Sequence, residues 1–169
     1  AAWKHVVATL DDALEYSREI GAFRPGAAAL LKGAAEDRWT LTIASGGFGF
    51  YIRELLGPNL RAVSRLIHNE LTFEPHGTTL HFNNEGFESP HFGGCKGKVI
   101  AHVLATETAP VVFCGDGRSD GGAVAYADHP RVSLFAVPGR ELAERCKATA
   151  AAYSPFETFD SVIATLNVD

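Results

Sequence analysis

Two carboxylates four residues apart, Asp116 and Asp120, stand in the stretch Val111–Asp120, VVFCGDGRSD. Carboxylate oxygens at that spacing across a glycine turn are the ligands a hard cation such as Mg²⁺ takes, with a phosphate held against the ion. The apolar residues Val111 to Phe113 read as a short buried strand, and Gly115-Asp116-Gly117 as the turn leaving its carboxyl end, where open α/β sheets bind ligands. A second chemical unit is Ser45-Gly46-Gly47. It follows the strand-like WTLTIA (Trp39–Ala44) and precedes a helical pattern from Phe48 to Leu56, which puts a hydroxyl and free backbone N–H groups where an anion is favoured. Taken alone, Ser-Gly-Gly is read as a plain tight turn. A third unit is Lys96 and Lys98, which open a segment, Lys96 to Leu104, with Val99, Ile100 and Val103 on one helix face. Such a lysine pair reads first as a solvated helix end. His76, His81, His91 and Cys95 are borderline metal ligands close in sequence, but their spacings fit no standard zinc pattern, and scattered surface histidines explain them better.

These groups need a scaffold, and 169 residues with 46% hydrophobic content suffice for one domain with a proper core. A net charge of −5 without a cluster of Lys and Arg argues against a nucleic-acid or anionic-membrane surface. Cys95, Cys114 and Cys146 are odd in number and widely spaced, so no disulfide framework is expected, and Cys114 reads as an inert core thiol. No apolar run of membrane-spanning length and no signal pattern occur, so a cytoplasmic protein is expected. The sequence contains no methionine and begins at Ala1, from which we expect a processed chain or one lacking the natural start.

In chain order, Thr9-Leu10-Asp11-Asp12 reads as a capped helix start and Gly21 as its end. Pro25 opens a second helix over Ala27–Ala35. Val63 to Ile67 fits either a short strand or a helical turn. Leu71–Phe73 and Thr79–Phe82 alternate about the turn Glu74 to Gly77 as a β-hairpin, and Asn83 to Gly94 reads as a polar loop. Beyond the acidic turn come a short Ala-rich helix (Gly121–Asp128), a buried strand (Val132–Val137), a helix (Glu141–Tyr153) and a helical tail (Phe156–Leu166). Trp3 and Trp39 read as packing residues, and Phe48, Phe50 and Tyr51 either line a pocket beside Ser45 or pack a helix on a sheet. Strands alternating with helices predict an α/β fold: three layers, with a mostly parallel, Rossmann-like sheet flanked by helices and a β-hairpin insertion.

TIASGGFGFYI (Thr42–Ile52), CKGKVI (Cys95–Ile100) and VVFCGDGRSD, the last followed by AVAYADH and LFA, together resemble the haloacid dehalogenase superfamily of phosphatases. Within it the likeness is to the phosphoserine-phosphatase-like branch that includes the methionine-salvage phosphatases, and it spans roughly residues 9 to 166. The resemblance implies that Ser45, with Gly46 and Gly47, binds the phosphoryl group of the substrate. It gives Lys96 the neutralisation of phosphate, with Lys98 the alternative register. Asp116 takes the place of the acid that ligates Mg²⁺, and Asp120 that of a second acid reaching the metal directly or through water. Ser45, Lys96 and Asp116 are thus the expected catalytic set, all gathered on one rim of the fold. Phosphoryl transfer asks a protein mainly for positioning and positive charge, which these groups supply.

The family's first motif, an Asp-x-Asp on the first, central strand, has no match in the first forty residues. Asp11 and Asp12 are adjacent and would point to opposite faces of a strand. Residues 1–20 are therefore expected to be a remnant of a helical cap or an N-terminal extension, and 21–169 a core lacking the usual first strand. Either an N-terminal segment is missing, or Val6 to Leu10 substitutes for it, or another chain donates a strand. The function expected of the parent protein is a Mg²⁺-dependent phosphomonoester hydrolase acting on a small phosphorylated metabolite, inactive in this chain for want of the nucleophilic aspartate. The alternative is a catalytically dead relative that binds a phosphorylated ligand or partner. A homo-oligomer is possible through the uncovered sheet position.

Overall fold

Thr9 and Asp12 start the first helix reciprocally. Asp12 N–H donates to Thr9 Oγ1 at 3.1 Å and Thr9 N–H to Asp12 Oδ2 at 2.9 Å, so two backbone donors that the helix leaves over are satisfied. In the computed structural model, which describes residues 8–82, 86–89 and 93–167, this helix is α1 (Leu10–Ile20). Trp3 and Val6–Val7, named above as packing and strand candidates, lie outside the described residues, as does His91. The chain forms two compact units, one comprising residues up to Phe23 with Leu31–Gly94, the other Arg24–Leu30 with the chain from Cys95 onward.

In the first unit α1 packs on α3 (Gly49–Leu56). Gly21 allows the approach, since a Cβ there would lie 2.5 Å from Leu55 Cδ2, and Arg18 pairs with Glu54 at 2.7 Å. The sheet has the order β1 (Thr42–Phe48), β2 (Arg65–Glu74), β3 (Gly77–His81). The stretch left open between strand and helical turn is strand. The first part of β2 runs parallel to β1, while its second half turns back antiparallel on β3, from Glu70 opposite His81 to Glu74 opposite Gly77, as the expected hairpin. Leu31 and Ala34 of α2 (Ala27–Ala35), Ile52 and Leu56 of α3, and Ala62, from the 3₁₀ turn Gly57–Ala62, form the buried cluster. The polar loop 83–94 contains a short antiparallel pairing, β4 (Glu88–Ser89) with β5 (Gly93–Gly94).

The second unit has a three-stranded sheet, β6 (Val111–Gly115), β7 (Val132–Ala136) and β8 (Ser154–Pro155), parallel throughout. Successive residues of β7 bury opposite faces, as a central parallel strand requires. Leu134 and Ala136 pack with Ile100 of α4 (Lys96–Thr106) and with Leu142, Ala143 and Cys146 of α5 (Glu141–Thr149). Phe135 packs with Phe156 and with Val162 of α6 (Phe159–Leu166). Helices thus cover both faces, and the fold is mixed α/β with parallel strands flanked by helices.

Several boundaries differ from the sequence reading: the helix expected over Glu141–Tyr153 ends at Thr149, Ser154–Pro155 is a strand, and the tail helix begins at Phe159. β1 continues through Ser45-Gly46-Gly47 to Phe48, so α3 begins at Gly49. The Ala-rich helix expected over Gly121–Asp128 is instead a 3₁₀ segment, Arg118–Tyr126, whose first turn is closed by Asp120 N–H donating to Gly117 O at 3.1 Å. Among the described residues no helix is long and apolar enough to cross a membrane.

Candidate active site

Ser45-Gly46-Gly47 is a bulge, and its partner strand makes it one. Ala44 lies opposite Ile67 and Phe48 opposite Asn69, so four steps along β1 match two along β2. The two surplus residues loop out. Ser45 Oγ accepts from Gly47 N–H at 3.0 Å, and the buried Asn69 donates from Nδ2 to Gly46 O at 2.7 Å. Asn69 is one functional candidate the sequence reading passed over, since an Asn within a strand carries no signal until its partner bulges. Next to it, Arg53 Nη2 donates to Glu70 Oε1 at 2.8 Å and lies 3.0 Å from His68 Nε2, against the buried Gly49.

Lys96, Asp116 and Asp120 gather in the second unit. Gly115, the last residue of β6, is followed by a loop tied to the start of α5, where Val137 N–H donates to Gly115 O and Leu142 N–H to Asp116 O, each at 3.2 Å. Asp120 Oδ2 accepts from Asp116 N–H and Gly117 N–H, both at 2.9 Å, so this carboxylate organises the turn from inside. Its other oxygen faces a cation. Lys96, only 2% exposed, donates from Nζ to Ser119 Oγ at 3.1 Å and stands 3.9 Å from Asp120 Oδ1. Lys96 is therefore no solvated helix end, whereas Lys98 is exposed. Burial pushes the Lys96 pKa below its ordinary value, with the charge of Asp120 opposing the shift. Of the three N–H bonds of that ammonium, one is spent on Ser119 and one side faces Asp120. Among the described residues no further acceptor reaches it, which leaves part of the ammonium's donor capacity unused by the protein.

A glycine pair brings Lys96 to this place. Gly97 and Gly122 let α4 and the 3₁₀ segment meet backbone to backbone, and a Cβ on Gly97 would lie 2.7 Å from Gly122 O. Gly97→Ala is expected to lower stability by about 1–3 kcal/mol, because rigid backbone must move. The helix-propensity gain of about 1 kcal/mol does not offset that. Urea unfolding followed by circular dichroism measures it, and an unchanged midpoint would contradict the close approach.

Asp116 differs from Asp120. Its side chain is 45% exposed, and the contact found for it is Arg140 Nη2 at 3.4 Å from Oδ2. Mg²⁺ is ordinarily held by one or two carboxylates, with water and phosphate oxygens completing the shell, and Asp116 has Oδ1 without a protein partner among the described residues for this. The residues present fit such an ion. The histidine and cysteine group fares otherwise. His81 Nε2 lies 3.0 Å from Thr72 Oγ1, His76 is exposed in the hairpin turn, and among the described residues no three His, Cys, Asp or Glu gather as a metal site. Burial pushes the Cys114 thiol up to about 12, which keeps it protonated and unreactive at neutral pH.

Comparison with known proteins bears on this arrangement. Pdp3-interacting factor 1 of Schizosaccharomyces pombe is 28% identical over 159 residues, covering 90% of this chain and 66% of its own length. Two proteins named 2-hydroxy-3-keto-5-methylthiopentenyl-1-phosphate phosphatase, from two strains of Bacillus cereus, are 27% identical over 166 residues and 26% over 160, each covering 94% of this chain and 69% of the relative. The chain spans about two thirds of the length of these curated relatives. A family model described as haloacid dehalogenase-like hydrolase matches residues 2–130, and the chain belongs to that family.

Proposed function

We propose that this chain is the phosphate-binding core of a Mg²⁺-dependent phosphomonoester hydrolase whose substrate is a small phosphorylated metabolite. The observation that supports this best is the Lys96 ammonium, withdrawn from water and held between Ser119 and Asp120 at the carboxyl end of a parallel strand. A buried cation with a donor to spare has its strongest use against a phosphoryl oxygen. Asp116 would hold the metal ion, and Asp120, whose Oδ2 already takes two backbone N–H groups, would reach it through water from Oδ1. Bound there, Mg²⁺ supplies positive charge to the phosphoryl oxygens. Lys96 fixes and neutralises the phosphate, Asp120 holds Lys96 and the turn in place, and Arg140 beside Asp116 orients that carboxylate. The family likeness assigns the Ser45 hydroxyl to phosphoryl binding. The names of the Bacillus cereus relatives support a phosphorylated metabolite as the substrate class.

Hydrolysis by this family's route needs an Asp-x-Asp, and these 169 residues contain none. The chain is therefore expected to bind inorganic phosphate in the presence of Mg²⁺, and to give no turnover of an aryl phosphate. Calorimetric titration with phosphate, with and without Mg²⁺, and a chromogenic assay test the two halves. No phosphate binding would overturn the assignment, whereas turnover abolished by Asp116→Asn would show that the chain carries a nucleophile of its own.

A further inference from the structure

Tyr51 stands beside the Ser45 bulge. A Cβ placed on Gly47 would lie 1.5 Å from Tyr51 Oη and 3.2 Å from Ser45 Oγ, so the phenol occupies the space that a side chain at 47 would fill, beside the Ser45 hydroxyl. Among the described residues neither hydroxyl proton has an acceptor. Ser45 Oγ is the acceptor of the Gly47 N–H, and Tyr51 Oη has no hydrogen-bond partner among the described residues. The ring itself is fixed, meeting Phe50 edge to face at 5.5 Å and 88° and Phe48 at 6.4 Å and 82°, with Phe50 in turn against Phe73 at 5.3 Å. A half-buried hydroxyl with no partner is costly, and packing that pins its ring while leaving its oxygen unpaired makes sense when a ligand supplies the partner. Two neighbouring O–H donors suit an acceptor with several lone pairs, and the bulge that carries Ser45 is held by Asn69.

We propose that Tyr51 is a substrate-contacting residue whose hydroxyl, side by side with that of Ser45, donates a hydrogen bond to an oxygen of the substrate's phosphate group. The proposal rests on the reading of Ser45 as a phosphate ligand. Phe48 and Phe50 give Tyr51 an apolar flank, which suits a phosphoester whose organic part is uncharged.

The test titrates inorganic phosphate, with Mg²⁺ present, into the wild-type chain, Ser45→Ala, Tyr51→Phe and, as a control, Tyr16→Phe, whose ring is exposed on α1. Tyr51→Phe is expected to weaken phosphate binding about tenfold or more, the effect of losing a hydrogen bond to a charged group. Its melting temperature should stay unchanged or rise, because only an unpaired oxygen is removed, and Tyr16→Phe should match wild type in both. A second variant carries 3,5-difluorotyrosine at position 51. Its more acidic hydroxyl should make phosphate affinity fall at a pH where the wild type is unaffected. If Ser45→Ala weakens binding and both variants at 51 bind as wild type does, Tyr51 is no ligand and the reading of Ser45 stands. If Ser45→Ala itself binds as wild type does, the reading of Ser45 fails and the proposal falls with it.

Discussion

Asp120→Ala is expected to destabilise the protein by about 3–5 kcal/mol, the cost of stranding one partner of a buried charge pair. Three losses coincide in this variant. The backbone N–H groups of Asp116 and Gly117, each 2.9 Å from Oδ2, lose their acceptor, and the Lys96 ammonium keeps only Ser119 Oγ against its charge. Each abandoned backbone donor alone costs on the order of 1 kcal/mol or more. Asp120→Asn separates the parts, because its amide oxygen can still accept from the two N–H groups while the negative charge is gone. It is expected to fall between wild type and Asp120→Ala in thermal unfolding. Equal melting temperatures for Asp120→Ala and wild type would show that the carboxylate does not organise the turn. A large effect of Asp120→Ala beside a negligible one of Asp120→Asn would mean that the charge of Lys96 is not compensated by Asp120.

Part of this arrangement was visible in the sequence, and the part that was not depends on neighbours far along the chain. The alternation of Leu71–Phe73 and Thr79–Phe82 gives the hairpin, and Thr9 with Asp12 gives the helix start, because both signals are local and involve residues within a few positions. The Gly-Asp-Gly turn after Val111–Phe113 is equally legible, since a short apolar run ended by glycines has few other meanings. The bulge at Ser45–Gly47 is not. It exists because Phe48 pairs with Asn69 rather than with the residue that an unbroken register would supply, a property of β2 as much as of β1. Nor does any pattern show that Lys96 is buried, since a lysine two residues before another lysine at a helix start has the composition of a solvated end. Its burial follows from Gly97 meeting Gly122, two glycines 25 positions apart whose contact becomes visible only in the folded chain. The family likeness put Lys96 first and kept Lys98 as the alternative register, and of the two it is Lys96 that is buried beside Asp120.

Lys96→Met is expected to behave in the opposite way to Asp120→Ala, leaving stability within about 1 kcal/mol of wild type while weakening phosphate binding by about 2–5 kcal/mol. The asymmetry comes from what each partner leaves behind. With Lys96 gone, Asp120 retains two backbone N–H donors and is partly solvated, its side chain being 13% exposed, so its charge stays compensated. Methionine has nearly the length of lysine, fills the same space and carries no desolvation cost. The pH dependence gives an independent check. Because burial lowers the folded-state pKa of Lys96 below its ordinary 10.5, the unfolded chain holds that proton more tightly. While the amine is protonated in both states, the native state bears the full cost of burying it. As pH rises from the lowered folded value toward 10.5 the amine deprotonates in the native state first, and stability gains. The wild type should show this alkaline gain relative to Lys96→Met, so the stability difference between the two should narrow or reverse in favour of wild type as pH rises. A side chain whose removal costs little stability, or even adds some, yet abolishes ligand binding is retained for the ligand. Strong destabilisation in Lys96→Met with phosphate affinity intact would instead make Lys96 a structural partner of Asp120 and nothing more.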